Sequence, residues 1–232
     1  MSKVNIRKHP KIENVFISGS FENPKLYTKN LVAGKQVYGE KLIQRNGMEF
    51  REWNPYQSKL AAILMNRPKT NFLNHGKNCL YLGAASGTTV SHFSDILETG
   101  IIYAVEFAER SIRQLIQNTS ERTNVIPILG DARYPIEYAK SVFTDIDLIY
   151  QDVAQPNQAE IAVRNCDYYL QDKGILILAI KSQSIDSVSK SKKVYKEEQK
   201  TLEKAGLEIL EGINIHKYAE NHLVLIGRKK PT

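Results

Sequence analysis

Cysteine is scarce. Cys79 and Cys166 are the only two in 232 residues, and neither has a C-x-x-C neighbour. A disulfide framework and the paired-thiol spacing of zinc and redox motifs are thereby excluded, so no metal site is expected. Long apolar runs are also missing. No stretch approaches membrane-spanning length, and Met1 to Arg7 holds no apolar signal core. The expectation is a cytoplasmic protein with no membrane anchor. Internal repeats and low-complexity tails are absent. So is the G-x-G-x-x-G fingerprint of dinucleotide binding. The turn that follows the first buried-looking strand reads Gly83-Ala84-Ala85-Ser86-Gly87, with Ala85 where a second glycine would stand. Close approach of a pyrophosphate is disfavoured there, which argues against a dehydrogenase.

What is present is charge and alternation. Lys and Arg number 32 against 25 Asp and Glu, a formal net charge of +7. That excess favours polyanionic partners, nucleic acid first. The length allows one ordinary domain and a small second one.

Residues 1–53 hold short apolar runs, Asn14–Ile17, Leu26–Thr28, Lys41–Gln44 and Met48–Trp53, divided by turn residues. Asn46-Gly47 between the last two is a two-residue hairpin signal. A small antiparallel β-domain is expected over 1–53, with basic residues such as Lys3, Arg7, Lys11 and Lys25 on its surface. Asn54-Pro55 then reads as a cap and first turn of a helix over Tyr56–Asn66 that Pro68 ends. From Cys79 onward, strands alternate with helices. Strands are expected at Cys79–Leu82, Ile101–Val105, Val125–Leu129, Asp147–Tyr150 and Ile175–Ile180. The helices are Thr88–Leu97, Ala108–Ser120, Tyr134–Val142, Gln158–Leu170 and Val194–Ala205. This pattern predicts an α/β fold, a parallel sheet covered on both faces. The last two runs, Leu207–Ile215 and His222–Gly227, are joined too briefly to be parallel. A mostly parallel Rossmann-like sheet with an antiparallel last strand, over 54–232, is the pattern of S-adenosylmethionine-dependent methyltransferases.

In such sheets, ligands sit at the carboxyl ends of the strands. Reading those ends gives a coherent set. After the first comes the turn Gly83, Ala84, Gly87, Thr88, Thr89, whose free N–H groups suit a cofactor without phosphates. Glu106 follows the second, about 20 residues on, where a carboxylate holds ribose hydroxyls. Phe107 beside it offers a face for adenine. Asp131 and Ala132 follow the third strand, and Asp131 is placed to accept from an adenine amine or to cap the next helix. Asp152, Val153 and Gln155 follow the fourth. Lys181 follows the fifth.

Five segments carry a resemblance. They are Asn54-Pro55-Tyr56-Gln57-Ser58-Lys59-Leu60-Ala61-Ala62, Tyr81-Leu82-Gly83-Ala84-Ala85-Ser86-Gly87-Thr88-Thr89, Tyr103-Ala104-Val105-Glu106-Phe107, Gly130-Asp131-Ala132-Arg133 and Asp152-Val153-Ala154-Gln155-Pro156. Together they closely resemble the fibrillarin family in its archaeal, fibrillarin-like form, over nearly the whole chain. The eukaryotic Gly/Arg-rich extension is missing. The resemblance implies 2′-O-methylation of rRNA, and of some tRNA, guided by box C/D RNA, with S-adenosylmethionine as donor. It implies a Lys-Asp-Lys-His set that falls on Lys59, Asp152, Lys181 and His222, with His216 the competing histidine. It also implies two protein partners: a Nop-family scaffold and a kink-turn-binding subunit related to a ribosomal protein.

The chemistry is consistent with that set. A ribose hydroxyl must be aligned and lose a proton, and a lysine serves as base only where its surroundings favour the neutral form. The expectation is that Asp152 orients Lys181, Lys181 binds or deprotonates the hydroxyl, and Lys59 and His222 align the sugar or its phosphate. Two other readings fit the same residues: a stand-alone RNA or protein methyltransferase, and a non-catalytic subunit of an RNA–protein particle.

Overall fold

The computed structural model describes residues 4–20, 22–74, 76–182 and 188–231, so Lys3 lies outside the described residues. Two sheets organise them. The first holds β1 (Arg7–Lys8), β2 (Val15–Gly19), β3 (Pro24–Lys29), β4 (Leu42–Arg45) and β5 (Met48–Trp53) in the order β1-β2-β3-β5-β4, all antiparallel. Asn46 (φ 50°) and Gly47 (φ 73°) form the turn between β4 and β5. Two positive φ angles in succession match the right-handed twist of a tight hairpin. β1 was not expected, because two exposed residues carry no alternation to read.

The first helix starts late. Asn54 does not cap it. Its Oδ1 accepts from the Tyr56 N–H at 2.9 Å and closes a local turn instead. The cap of α1 (Lys59–Met65) is Ser58, whose Oγ accepts from the Ala61 N–H. Lys59 therefore stands at the first helical position.

The second sheet comprises β6 (Cys79–Leu82), β7 (Ile102–Glu106), β8 (Val125–Leu129), β9 (Ile146–Gln151), β10 (Leu170–Lys181), β11 (Leu207–Asn214) and β12 (His222–Lys229). Their order is β11-β12-β10-β9-β6-β7-β8. β12 runs antiparallel to both neighbours; the other pairings are parallel. Helices α2 (Thr88–Ile96), α3 (Glu109–Thr119), α4 (Gln158–Tyr169) and α5 (Val188–Lys204) accompany the strands. α5 begins six residues earlier than expected, at Val188 rather than Val194. The segment expected as a helix over Tyr134–Val142 is a 3-10 helix, Pro135–Ser141, in which only Tyr138 is buried. One buried side chain gives an α-helix little to pack on, and short 3-10 pieces suit such connectors. Among the described residues no helix is long and apolar enough to cross a membrane.

Side chains alternate across β6. Cys79 and Tyr81 enter one apolar cluster, Leu80 and Leu82 the other. The first cluster continues through Val15, Leu26 and Trp53, so the N-terminal sheet shares a core with the larger one. A buried charge network fastens the two together. Arg51 on β5 pairs with Glu40 at 2.6 Å and with Asp95 on α2 at 2.8 Å; Arg122 reaches Asp95 at 2.6 Å. The Thr28 hydroxyl on β3 donates to Asp95 at 2.7 Å and meets His92 Nδ1 at 2.8 Å. That hydroxyl has one proton, so Nδ1 carries the ring proton and Nε2 accepts from Tyr38. Burial, helped by Arg51 and Arg122, keeps His92 neutral, with its pKa well below 6.5. The network thus sets two arginines against two carboxylates, each with further hydrogen bonds, as buried charges require.

Asp95→Asn leaves two buried arginines short of a counter-charge. The expected cost is about 3–5 kcal/mol. It should appear as a lower urea midpoint at unchanged slope; an unaltered midpoint contradicts the account.

Candidate active site

The turn after β6 and the loop after β9 touch through their backbones. Gly83 has φ +84°, and a Cβ there would stand 2.3 Å from the Asp152 carbonyl oxygen. The Asp152 N–H donates back to the Leu82 carbonyl at 2.9 Å. Only glycine combines that φ with that approach. Gly87, at φ +92°, opens α2 and faces Leu115, 2.8 Å from where its Cβ would be. It serves helix packing. Ala85 holds φ +49° and donates its N–H to Glu106 Oε2 at 2.8 Å. Glu106 Oε1 takes the Ala108 N–H at 2.9 Å, just ahead of α3. One carboxylate therefore pins the turn and the next helix, with lone pairs left for other donors.

Between these ends lies a cavity of about 250 Å³. Gly83, Glu106, Phe107, Asp131, Ala132, Asp152, Val153 and Gln155, all expected at a cofactor, line it. Ala84, Gly87, Thr88 and Thr89 belong to the same turn and helix start but not to that wall. Thr89 has another partner: its hydroxyl donates to Ser58 Oγ at 3.1 Å and ties α2 to the cap of α1. Six further wall residues had been given no cofactor role: Ala85, Val105, Gly130, Arg133, Ala154 and Ile161. Arg133 closed the Gly130-Asp131-Ala132-Arg133 segment and was open to notice. Ile161 on α4 bears no chemistry that sequence alone would flag.

Three carboxylates, Glu106, Asp131 and Asp152, face one guanidinium across this cavity. The guanidinium is engaged. Arg133 grips Asp131 at 2.6 Å and holds its carboxyl below the ordinary range through that hydrogen bond. Acceptors without a free cation suit a ligand that carries hydroxyls, amines and positive charge. They do not suit one that carries phosphates. Phe107 is exposed at the rim, with a ring face open to a base.

Beside the cavity, the Lys59, Asp152, Lys181 and His222 side chains come together. Lys59 Nζ lies 2.7 Å from Asp152 Oδ2, both about a quarter exposed. Lys181 and His222 face each other across β10 and β12. Burial lowers the His222 pKa below 6.5; Lys59 and Lys181 push the same way, against a hydrogen bond to Glu220 and the charge of Asp152. His222 thus senses all three partners. Its Nδ1 sits 2.6 Å from the Glu220 carbonyl, so Nδ1 bears the proton and Nε2 is the acceptor nitrogen. The carboxylate of Asp152, expected to orient Lys181, pairs with Lys59 instead. His216 accepts from the Asn221 N–H at 3.2 Å, within the loop between β11 and β12.

A mostly parallel seven-stranded sheet, closed by an antiparallel strand and bearing a carboxylate-lined cavity at its strand tips, defines the class of S-adenosylmethionine-dependent methyltransferase folds. Within that class the family is specific. The family model described as Fibrillarin matches residues 6–231, and the chain belongs to the fibrillarin family. A relative from Pyrobaculum islandicum, named fibrillarin-like rRNA/tRNA 2′-O-methyltransferase, is 47% identical over 98% of each chain. A crystal structure of Aeropyrum pernix fibrillarin with natively bound S-adenosyl-L-methionine is 43% identical and superposes with a TM-score of 0.89, covering 98% of this chain and all of that one. A fibrillarin/Nop5p complex is 37% identical with a TM-score of 0.82, covering 94% of this chain and 98% of that one.

Gly83→Ala should force the two loops apart. A stability loss of at least about 1–2 kcal/mol is expected. Calorimetric binding of S-adenosylmethionine should weaken at least about tenfold. Ala85→Gly, at a φ that glycine accepts freely, should retain both properties. Equal behaviour of the two variants contradicts the role given to Gly83.

Proposed function

We propose that this chain methylates the ribose 2′-hydroxyl of rRNA and tRNA, using S-adenosylmethionine, within a particle directed by box C/D guide RNA. The observation that carries the reading is the convergence of Lys59, Asp152, Lys181 and His222 beside the carboxylate-lined cavity. The names of the full-length relatives support the substrate class. The cofactor bound to the Aeropyrum pernix protein supports the donor.

The residues of the cavity fit that donor. Glu106 would take the ribose hydroxyls, Phe107 would stack on the base, and Asp131, Ala132 and Gln155 would border the adenine. Gly83 and Ala85 leave room for the backbone turn, while Ala84, Gly87, Thr88 and Thr89 support it from behind. When bound, S-adenosylmethionine supplies a methyl group on a positively charged sulfur. Lys181 would bind the target hydroxyl and take its proton, while the methyl leaves the sulfonium sulfur, which departs as a neutral thioether. Asp152 holds Lys59, and that pair fixes the floor of the acceptor site. His222, neutral with an accepting Nε2, aligns the sugar. Most of the acceleration comes from alignment of oxygen and methyl.

A Nop-family scaffold protein of the Nop5p kind and a kink-turn-binding subunit related to a ribosomal protein present the guide RNA and its paired target. The assembly works in the cytoplasm. Residues 1–53 act as the small β-domain and 54–232 as the methyltransferase domain. The shared core and the Arg51–Asp95 pair make the two a single cooperative unit.

Lys181→Ala in a reconstituted particle should slow single-turnover methylation at least about a hundredfold. Affinity for S-adenosylmethionine should stay near that of the parent. Transfer at the parental rate refutes the role of Lys181. Efficient, sequence-selective transfer to naked RNA, without guide or scaffold, favours a stand-alone enzyme.

A further inference from the structure

β10 outlasts its parallel neighbour. The last β9–β10 pairing joins Leu178 to Gln151, whereas β12 pairs with β10 as far as Lys181. Ala179, Ile180 and Lys181 therefore have a strand on one side only. The Ser182 N–H points to β12 and donates to the Asn221 carbonyl at 3.0 Å. Backbone alternation turns the Lys181 peptide groups to the opposite side, where β9 has ended.

A side chain takes the place of the missing strand. The Lys181 N–H donates to Gln158 Oε1 at 2.9 Å, and Gln158 Nε2 donates to the Lys181 carbonyl at 3.1 Å. A primary amide presents a donor and an acceptor in one plane, so it mimics the peptide edge of a neighbouring strand. Gln158 is itself held. Gln151, the last residue of β9 and the neighbour of Asp152, donates from Nε2 to the Gln158 carbonyl at 2.6 Å. The adjacent Ala159 N–H donates to Glu198 Oε2 on α5 at 2.5 Å. Both glutamines are buried, at 0% and 3% exposure, so these bonds do not exchange freely with water. Gln158 is not part of the cavity wall.

We propose that Gln151 and Gln158 form a brace that sets the separation of Asp152 from Lys181, and that Gln158 is a positioning residue for methyl transfer. The proposal rests on the reading of Lys181 as the group that meets the ribose hydroxyl. Its physical basis is that an unpaired strand end frays, whereas a peptide bonded on both edges does not. A displacement of about 1 Å in an aligned site costs on the order of a hundredfold in rate.

The test uses the assembled particle, with single-turnover transfer to guide-paired RNA at saturating S-adenosylmethionine. Gln158→Met keeps the length of the side chain and removes both bonds; Gln158→Glu keeps the acceptor and removes the donor. Gln158→Met should lower the transfer rate about tenfold to a hundredfold. Calorimetric affinity for S-adenosylmethionine should stay within about twofold, and Gln158→Glu should fall between Gln158→Met and the parent. Added to Lys181→Ala, Gln158→Met should bring no further loss, because the two act through one group. If Gln158→Met does not fold, Gln158→Glu, alone and with Lys181→Ala, carries the same comparison. The brace is overturned by a parental rate in the glutamine variants, by losses that multiply with Lys181→Ala, or by a loss that appears wholly as weaker cofactor binding. A slow Lys181→Ala beside parental glutamine variants removes the brace alone. A parental rate in Lys181→Ala removes both readings.

Discussion

Between Gly83 and the carbonyl of Asp152 there is no room for a side-chain carbon. That contact decides where everything else stands. It joins the tips of β6 and β9, which are adjacent parallel strands, and makes one rim of two loops. On one side of the rim, Ala85 and Glu106 fix the cavity; on the other, Asp152 receives Lys59. Parallel sheets place their ligands at such tips because successive crossovers leave a crevice there. Here the crevice is narrowed to a backbone contact, and the cavity and the basic residues lie within a few residues of it.

Charge is divided across that rim. The cavity is lined by carboxylates, while Lys59, Lys181 and His222 gather beside Asp152. A positively charged donor and a polyanionic acceptor would each meet the opposite sign on its own side. Asp152 borders both regions, and its ion pair with Lys59 anchors the first turn of α1. Far beneath, the Arg51–Asp95–Arg122 network holds α2 against the N-terminal sheet. Gly87 caps α2, so the turn runs directly into the helix that this network holds.

Much of this was legible in the sequence, for physical reasons. β6 and β8 end where the apolar runs end, and the Asn46-Gly47 turn fixes its own hairpin, because these signals are local. Gly83, Glu106, Phe107, Asp131, Ala132, Asp152, Val153 and Gln155 could be assigned to one cavity because topology gathers strand tips, whereas which neighbours stand behind its wall is a matter of packing. What escaped was tertiary. The ion pair of Asp152 with Lys59, ninety-three positions away, leaves no local pattern to read, and neither does the choice of Ser58 over Asn54 as the cap of α1. Ser58 and Asn54 are equally good caps on paper; an Asx turn at Tyr56 decides between them. The Tyr134–Val142 segment reads as helical by spacing, yet lacks the packing to complete α-helical turns. Gln158 looked like an ordinary helix-start residue, and its bond to Lys181 depends on where β9 stops.

The central claim is that one pocket presents a methyl group to the oxygen that Lys181 meets. A crystal structure of the chain with S-adenosylmethionine bound tests it most directly. The account predicts ribose hydroxyls at Glu106 and a sulfonium methyl turned toward the gap between Asp152 and Lys181. An adenosyl group seated elsewhere, or a methyl turned away from Lys59, Asp152 and Lys181, contradicts it.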